Sequence, residues 1–105
     1  MTQPPKNPTP DTYITDPAIR IDLTGEIYTL PYVSSHSDLV INLLQIFREE
    51  GKAETFSTRY TEGFVDNKGN FHTRSSAGEI AYQAGQLKYD NQRQCLYSYG
   101  YNRIR

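Results

Sequence analysis

The chain predicts an α+β domain, a small antiparallel sheet with two helices packed on it. Three observations carry this. Apolar and charged residues alternate in Ile19-Arg20-Ile21-Asp22-Leu23, and Glu26-Ile27-Tyr28-Thr29-Leu30 returns after Thr24-Gly25, the pattern of a half-buried hairpin. Leu39, Val40, Leu43, Leu44 and Phe47 recur at helical spacing. From Gly63 to Leu87 the chain reads as a second hairpin running straight into a second helix.

Taken in order, residues 1–12 hold four of the six prolines and almost nothing apolar. They predict an extended or disordered arm, and residues 13–105 one domain. The first hairpin ends at Pro31, which places its second strand at an edge. The longest helix opens at Ser35, with Asp38 completing a capping-box-like pair, and closes at Gly51. Lys52 to Tyr60 is polar around Phe56 and predicts a loop with a short strand. In the second hairpin, Asp66-Asn67-Lys68-Gly69 is a turn, because Asp and Asn tolerate turn geometry and Gly permits a positive φ. Thr73 is an N-cap, with a second possible start at Ser76 paired with Glu79. Ala77, Ile80, Ala81 and Ala84 form one small-residue face, and Gly85 is a left-handed C-cap. The alternation of Cys95, Tyr97, Tyr99 and Tyr101 predicts a last strand with one tyrosine-rich face.

Composition narrows the classes. At 36% hydrophobic residues and a mean hydropathy of -0.71, the core is modest, and pairing of copies into a homo-oligomer would complete it. A net charge of -1 argues against a duplex nucleic acid partner, although local cations suffice for a small anion. One cysteine excludes an internal disulfide and fits a reducing cytoplasm. No apolar run reaches the roughly 18 residues of a membrane span, and the first residues lack a signal-peptide pattern. Nine tyrosines suit half-exposed faces and interfaces.

Gly63-Phe64-Val65, Gly69-x-Phe71, Arg74, Ala77, Ile80-Ala81 and Ala84-Gly85-Gln86-Leu87 resemble the signature of a widespread family of small, largely uncharacterised bacteriophage and prophage proteins. The resemblance runs over about residues 27–97 and takes in Tyr28-Thr29-Leu30-Pro31 and His36. It implies a phage origin and, with it, the host cytoplasm. Three positions depart from the family pattern. Asn70 stands where an arginine is usual, Ser76 where an acid is, and Tyr99-Gly100-Tyr101 replaces an acidic tail after Leu96-Tyr97-Ser98.

Two helix starts next to cationic or hydrogen-bonding side chains make candidate anion sites, since unpaired N–H groups and the helix dipole favour negative charge. If both starts lie on one sheet edge, Ser35, His36, His72, Arg74 and Ser75 surround a phosphate, while Phe71 or Tyr97 stacks on a base. Capping alone also accounts for the serines and Thr73. His36 and His72 carry no metal-ligand spacing, no cofactor is implied, and Glu62 and Asp66 are the only carboxylates flanking the hairpin. The reading is a phage accessory, anti-defence binding protein for a small anionic, nucleotide-derived ligand. Its alternatives are a protein-binding inhibitor or structural module, such as one acting on a host defence protein through the tyrosine-rich face, and a small hydrolase.

Overall fold

The computed structural model describes residues 11–31, 33–52, 54 and 59–104. Strand β1 (Ile14–Ile21) pairs antiparallel with β2 (Ile27–Tyr28) on one side and β3 (Tyr60–Asp66) on the other, and β4 (Phe71–Thr73) closes the far edge in the order β2-β1-β3-β4. Helix α1 (His36–Glu49) connects β2 to β3, and α2 (Arg74–Gln83) leaves β4 without a loop. The predicted α+β architecture is the one observed.

Side chains alternate along strands, so the pairing register assigns the two faces of the sheet. Ile19, Ile21 and Phe64 face the helices. Ile19 and Ile21 cluster with Leu39 and Leu43 of α1, whereas Phe64 clusters with Ala77 and Ala81 of α2, Leu96 and Tyr101. Alanines on α2 let the helix lie close over the large Phe64 ring, which is fully buried. Truncating such a residue typically costs about 3–5 kcal/mol. The opposite face carries Ala18, Arg20, Gly63, Val65 and Phe71 by register. There the Phe71 ring lies across Gly63, where a Cβ would stand 2.6 Å from its Cζ, and Arg20 sits 5.0 Å above the same ring.

β1 begins five residues earlier than the alternation predicts and runs through Pro17. That proline is tolerated because β2 pairs only with Ile19 and Arg20. The Pro17 carbonyl accepts the Thr29 hydroxyl at 2.8 Å on that same side, so no ladder bond is lost there. Leu23 falls in the turn instead and is exposed. Of the Lys52–Tyr60 segment, Phe56 lies outside the described residues, as do the first ten residues of the expected N-terminal arm. Asp11 and Thr12 of that arm meet the β3–β4 turn, through Asn67 and Lys68 respectively.

The predicted strand at 95–101 is not formed. A single 3₁₀ turn (Asp90–Arg93) is followed by further turns, and only Tyr101 makes an isolated bridge, to Leu87. The reason lies in Gln92. Its side-chain oxygen takes the Tyr97 N–H at 2.8 Å, and its side chain fills the space where a Cβ on Gly100 would be. The backbone therefore folds around Gln92 rather than extending beside a strand. Tyr101 turns inward, while Tyr97 and Tyr99 turn outward.

The Ala84-Gly85-Gln86-Leu87 run has a definite mechanical use. Gly85 adopts φ 73°, turning the chain out of α2. Gln86, 1% exposed, then accepts the Ile14 N–H at 2.9 Å and donates to the carbonyls of Ile14 at 2.7 Å and Asn102 at 3.0 Å. One amide thus joins the start of β1 to the end of the chain. Gln86→Leu fits the volume but strands the two buried backbone groups of Ile14 and the part-buried carbonyl of Asn102, and each unsatisfied buried group costs about 1–3 kcal/mol. We expect a urea midpoint lowered by the equivalent of roughly 2–5 kcal/mol, against a near-neutral effect for Gln83→Leu on the exposed side of α2.

Candidate functional site

Ser35 is extended (φ -134°, ψ 155°) and its hydroxyl accepts the Asp38 N–H at 3.1 Å, which starts α1 at His36. Thr73 does the same for α2, accepting from Ser76 N at 3.4 Å. Both starts arrive over β3. His36, 5% exposed, donates from Nε2 to the Gly63 carbonyl at 2.6 Å and meets the Phe64 ring edge-on at 4.9 Å. Arg74 Nη2 donates to Glu62 Oε1 at 2.8 Å and lies 3.4 Å from His36 Nδ1. A guanidinium only donates, so Nδ1 is the acceptor and the imidazole proton sits on Nε2. The other face of Arg74 stacks on Tyr97, 4.8 Å from the ring centroid.

Of the residues singled out from sequence, His36, Arg74 and Tyr97 therefore come together, with Ser35 at their border. The charge of Arg74 is balanced by Glu62, and its Nε is buried with no hydrogen-bond partner among the described residues. Phe71 lies on the opposite face of the sheet, as the register above requires. Ser75 is exposed in the first turn of α2. His72 belongs to a separate line of hydrogen bonds, with its Nε2 2.8 Å from Asp66 Oδ2 and its Nδ1 3.4 Å from Ser76 Oγ. Asp66, 4% exposed, also accepts the N–H groups of Lys68 and Asn70, so this carboxylate organises the β3–β4 turn.

Two concavities lie alongside. The first, of about 550 Å³, is walled by Ser34 and Ser35 before α1 and by Lys88, Ser98, Tyr99 and Arg103 from the C-terminal segment, with Tyr101 at its floor. Burial pushes the Tyr101 hydroxyl up to about 12, so it stays protonated. Arg103 is fixed by Asp16 at 2.9 Å and by the carbonyls of Thr15 and Val33. Lys88 is exposed and has no ion-pair partner among the described residues, so it brings the uncompensated charge. The second concavity, of about 490 Å³, lies between Tyr89 and Tyr99 over Asp90, Asn91 and Gln92.

Sequence reasoning places Ser35 at such a wall and Tyr99 only on a tyrosine-rich, protein-binding face, and it passes over Ser34, Lys88, Ser98 and Arg103. Helix-start chemistry could have found Ser34. The other residues are scattered through a segment whose alternation suggests a strand, and only its turns bring them together. Among the described residues no group of His, Cys, Asp and Glu could hold a metal ion, and no helix is long and apolar enough to cross a membrane.

The phage T4 y16D protein family matches residues 13–101, which hold the sheet, both helices, the His36–Arg74 contact and the first cavity's wall except Asn102 and Arg103. The chain belongs to this phage protein family. No curated protein and no solved structure matches it.

The buried imidazole makes stability depend on pH. Burial is the largest influence on His36 and lowers its pKa from 6.5; the hydrogen bond to Gly63 opposes this, and nearby Arg74 adds to it. Burial also pushes the Asp66 carboxyl up, but the hydrogen bonds from His72, Asn70 and Lys68 outweigh it and leave the pKa below 3.8. Both folded-state values lie below the unfolded ones, so in each window the unfolded chain binds more protons and stability is lost as the pH is lowered. The His36 contribution is complete above about pH 6.5 and is lost below it, and the Asp66 contribution follows below about pH 4. Urea midpoints measured from about pH 8 downward should decline in these two stages, and His36→Gln should remove the first.

Proposed function

We propose that this phage protein captures a small anionic, nucleotide-derived ligand, and that the anionic end enters the cavity beside the start of α1. In a phage protein the concrete form of this reading is sequestration of a host defence signal. The supporting observation is the composition of that wall. Lys88 provides an unpaired cation, Arg103 a guanidinium already paired with Asp16, Ser34, Ser35, Ser98 and Tyr99 provide hydroxyl donors, and the first turn of a fourteen-residue helix opens beside them. A few convergent polar groups in a cavity of several hundred Å³ are what a small-molecule site requires. Asp38, the acid in that first turn, is exposed and is not part of the wall. On this reading His36 and Arg74 do not touch the ligand; they hold the α1 start in place.

A second reading draws on Tyr97 and Tyr99, which stack at 5.7 Å and are 40% and 62% exposed, as a protein-binding surface. Lys88 lines the first cavity and is not part of the Tyr97–Tyr99 stack, so Lys88→Gln separates the two readings. A host partner captured equally well by Lys88→Gln, with no ligand bound by either form, favours the protein surface.

Isothermal titration with cyclic dinucleotides, ADP-ribose derivatives and nucleoside monophosphates tests the first reading. We expect at least one to bind, with affinity falling as salt rises, and Lys88→Gln to weaken it about five- to tenfold, or roughly 1 kcal/mol. Binding that is unaffected by Lys88→Gln and by salt would exclude this cavity as the anion site.

A further inference from the structure

The two concavities share one wall, the ring of Tyr99. Their chemistry differs. The first offers cations and hydroxyls. The second offers two exposed aromatic rings, Tyr89 at 53% and Tyr99 at 62%, above the carboxylate of Asp90 and the amide of Asn91. A carboxylate there repels phosphate and accepts from N–H groups, while flat rings on the walls favour a planar guest.

The Tyr99 ring is braced. It stacks on Tyr97 with 12° between the planes, and Tyr97 is stacked in turn by Arg74. Gly100 behind it packs against Gln92, whose side-chain oxygen is occupied by the Tyr97 N–H. A ring held in this way loses little rotamer freedom when a guest stacks on it. Gln92 is committed to the scaffold, whereas no hydrogen bond of the Asp90 carboxylate is recorded among the described residues.

Resting on the anion-binding reading above, we propose that the Tyr89–Tyr99 concavity is a nucleobase subsite for the same ligand. The base stacks on tyrosine and presents N–H donors to Asp90, and its phosphate crosses Tyr99 into the Lys88–Arg103 cavity. Guanine is the base with the best match, because its ring N–H and exocyclic amine are adjacent donors that one carboxylate can accept together. Uracil has only one ring N–H on its pairing edge, between two carbonyl oxygens that Asp90 would repel.

The test is isothermal titration of the full chain with inorganic phosphate, ribose 5-phosphate, GMP, UMP and guanosine. The expected result is GMP binding about fivefold or more tighter than ribose 5-phosphate, since stacking on one aromatic ring is worth at least this factor, with UMP between them. Tyr89→Ala should erase the advantage of GMP over ribose 5-phosphate. Tyr89→Phe should keep it, and Asp90→Asn should narrow the gap between GMP and UMP. Both tyrosine variants alter an exposed side chain, and an unchanged urea midpoint checks that they fold. If GMP and ribose 5-phosphate bind equally, the base subsite is overturned and the anion site stands. If guanosine binds and no phosphate compound gains over it, the subsite stands and the anion site falls. No heat with any of the five overturns both.

Discussion

One imidazole ring ties the helical layer to the sheet. His36 is the first residue of α1, yet its Nε2 reaches the carbonyl of Gly63 in β3 and its Nδ1 receives the first residue of α2, Arg74. The contact works only with a neutral ring: a proton on Nδ1 would face a guanidinium across 3.4 Å with no acceptor between them. The same geometry explains why Gly63 has no side chain. On the far face its Cβ would strike the carbonyl of His72 and the ring of Phe71, forcing apart the strand whose carbonyl His36 needs. Helix start, strand register and the stacking of Phe71 therefore depend on one another.

The C-terminal segment depends on that frame in a different way. It has no strand or long helix of its own and is held by single, well-placed polar contacts. Arg74 contributes its backbone carbonyl to the Leu96 N–H at 3.0 Å as well as its side chain to Tyr97. Gln86 and Gln92, both buried, replace the ladder bonds that a strand would have supplied. Gly78 lets the 3₁₀ turn rest directly on α2, where a Cβ would stand 2.4 Å from the Arg93 carbonyl. Arg93 then bridges to Glu79 and stacks on Tyr82 at 3.8 Å. A segment built this way can present side chains at angles that no regular element allows, and both cavities are lined by it.

Much of the framework was legible in the residues. Ser35 and Thr73 cap the helices as their types predict, Leu39, Leu43 and Phe47 are the buried stripe of α1, and the Asp66–Gly69 turn joins β3 to β4. These signals are local, and local chemistry decides them. What was not legible is what depends on distant partners. The alternation of tyrosines from 97 to 101 has a strand's period, but a strand also needs an edge to pair with, and Gln92 claims the backbone first. The pairing of Arg74 with Glu62 joins residues twelve apart in sequence across a strand pair, a relation visible only once the register is known. Of the candidate site residues, His36 and Arg74 at the two helix starts meet, and Ser75 is exposed. Phe71 and His72 were separated from them by the period of a strand, which sends neighbours to opposite faces, and by the pull of Asp66.

A division of labour follows from where His36 and the residues of the Gly63–Leu87 run end up. His36, Gly63, Phe64, Arg74, Ala77, Ala81, Gly85 and Gln86 are the scaffold: they are buried or paired inward and leave little for a ligand to touch. The residues that line the cavities come mainly from positions 88–103. That stretch includes Tyr99-Gly100-Tyr101. An acid at the Tyr99 wall would stand among Lys88 and Arg103. A carboxylate about 4 Å from a cation near a protein surface attracts it with up to about 4 kcal/mol before solvation is counted, enough to close the cavity's charge on itself. With tyrosine there, Lys88 keeps its charge uncompensated and the Tyr99 ring stacks on Tyr97.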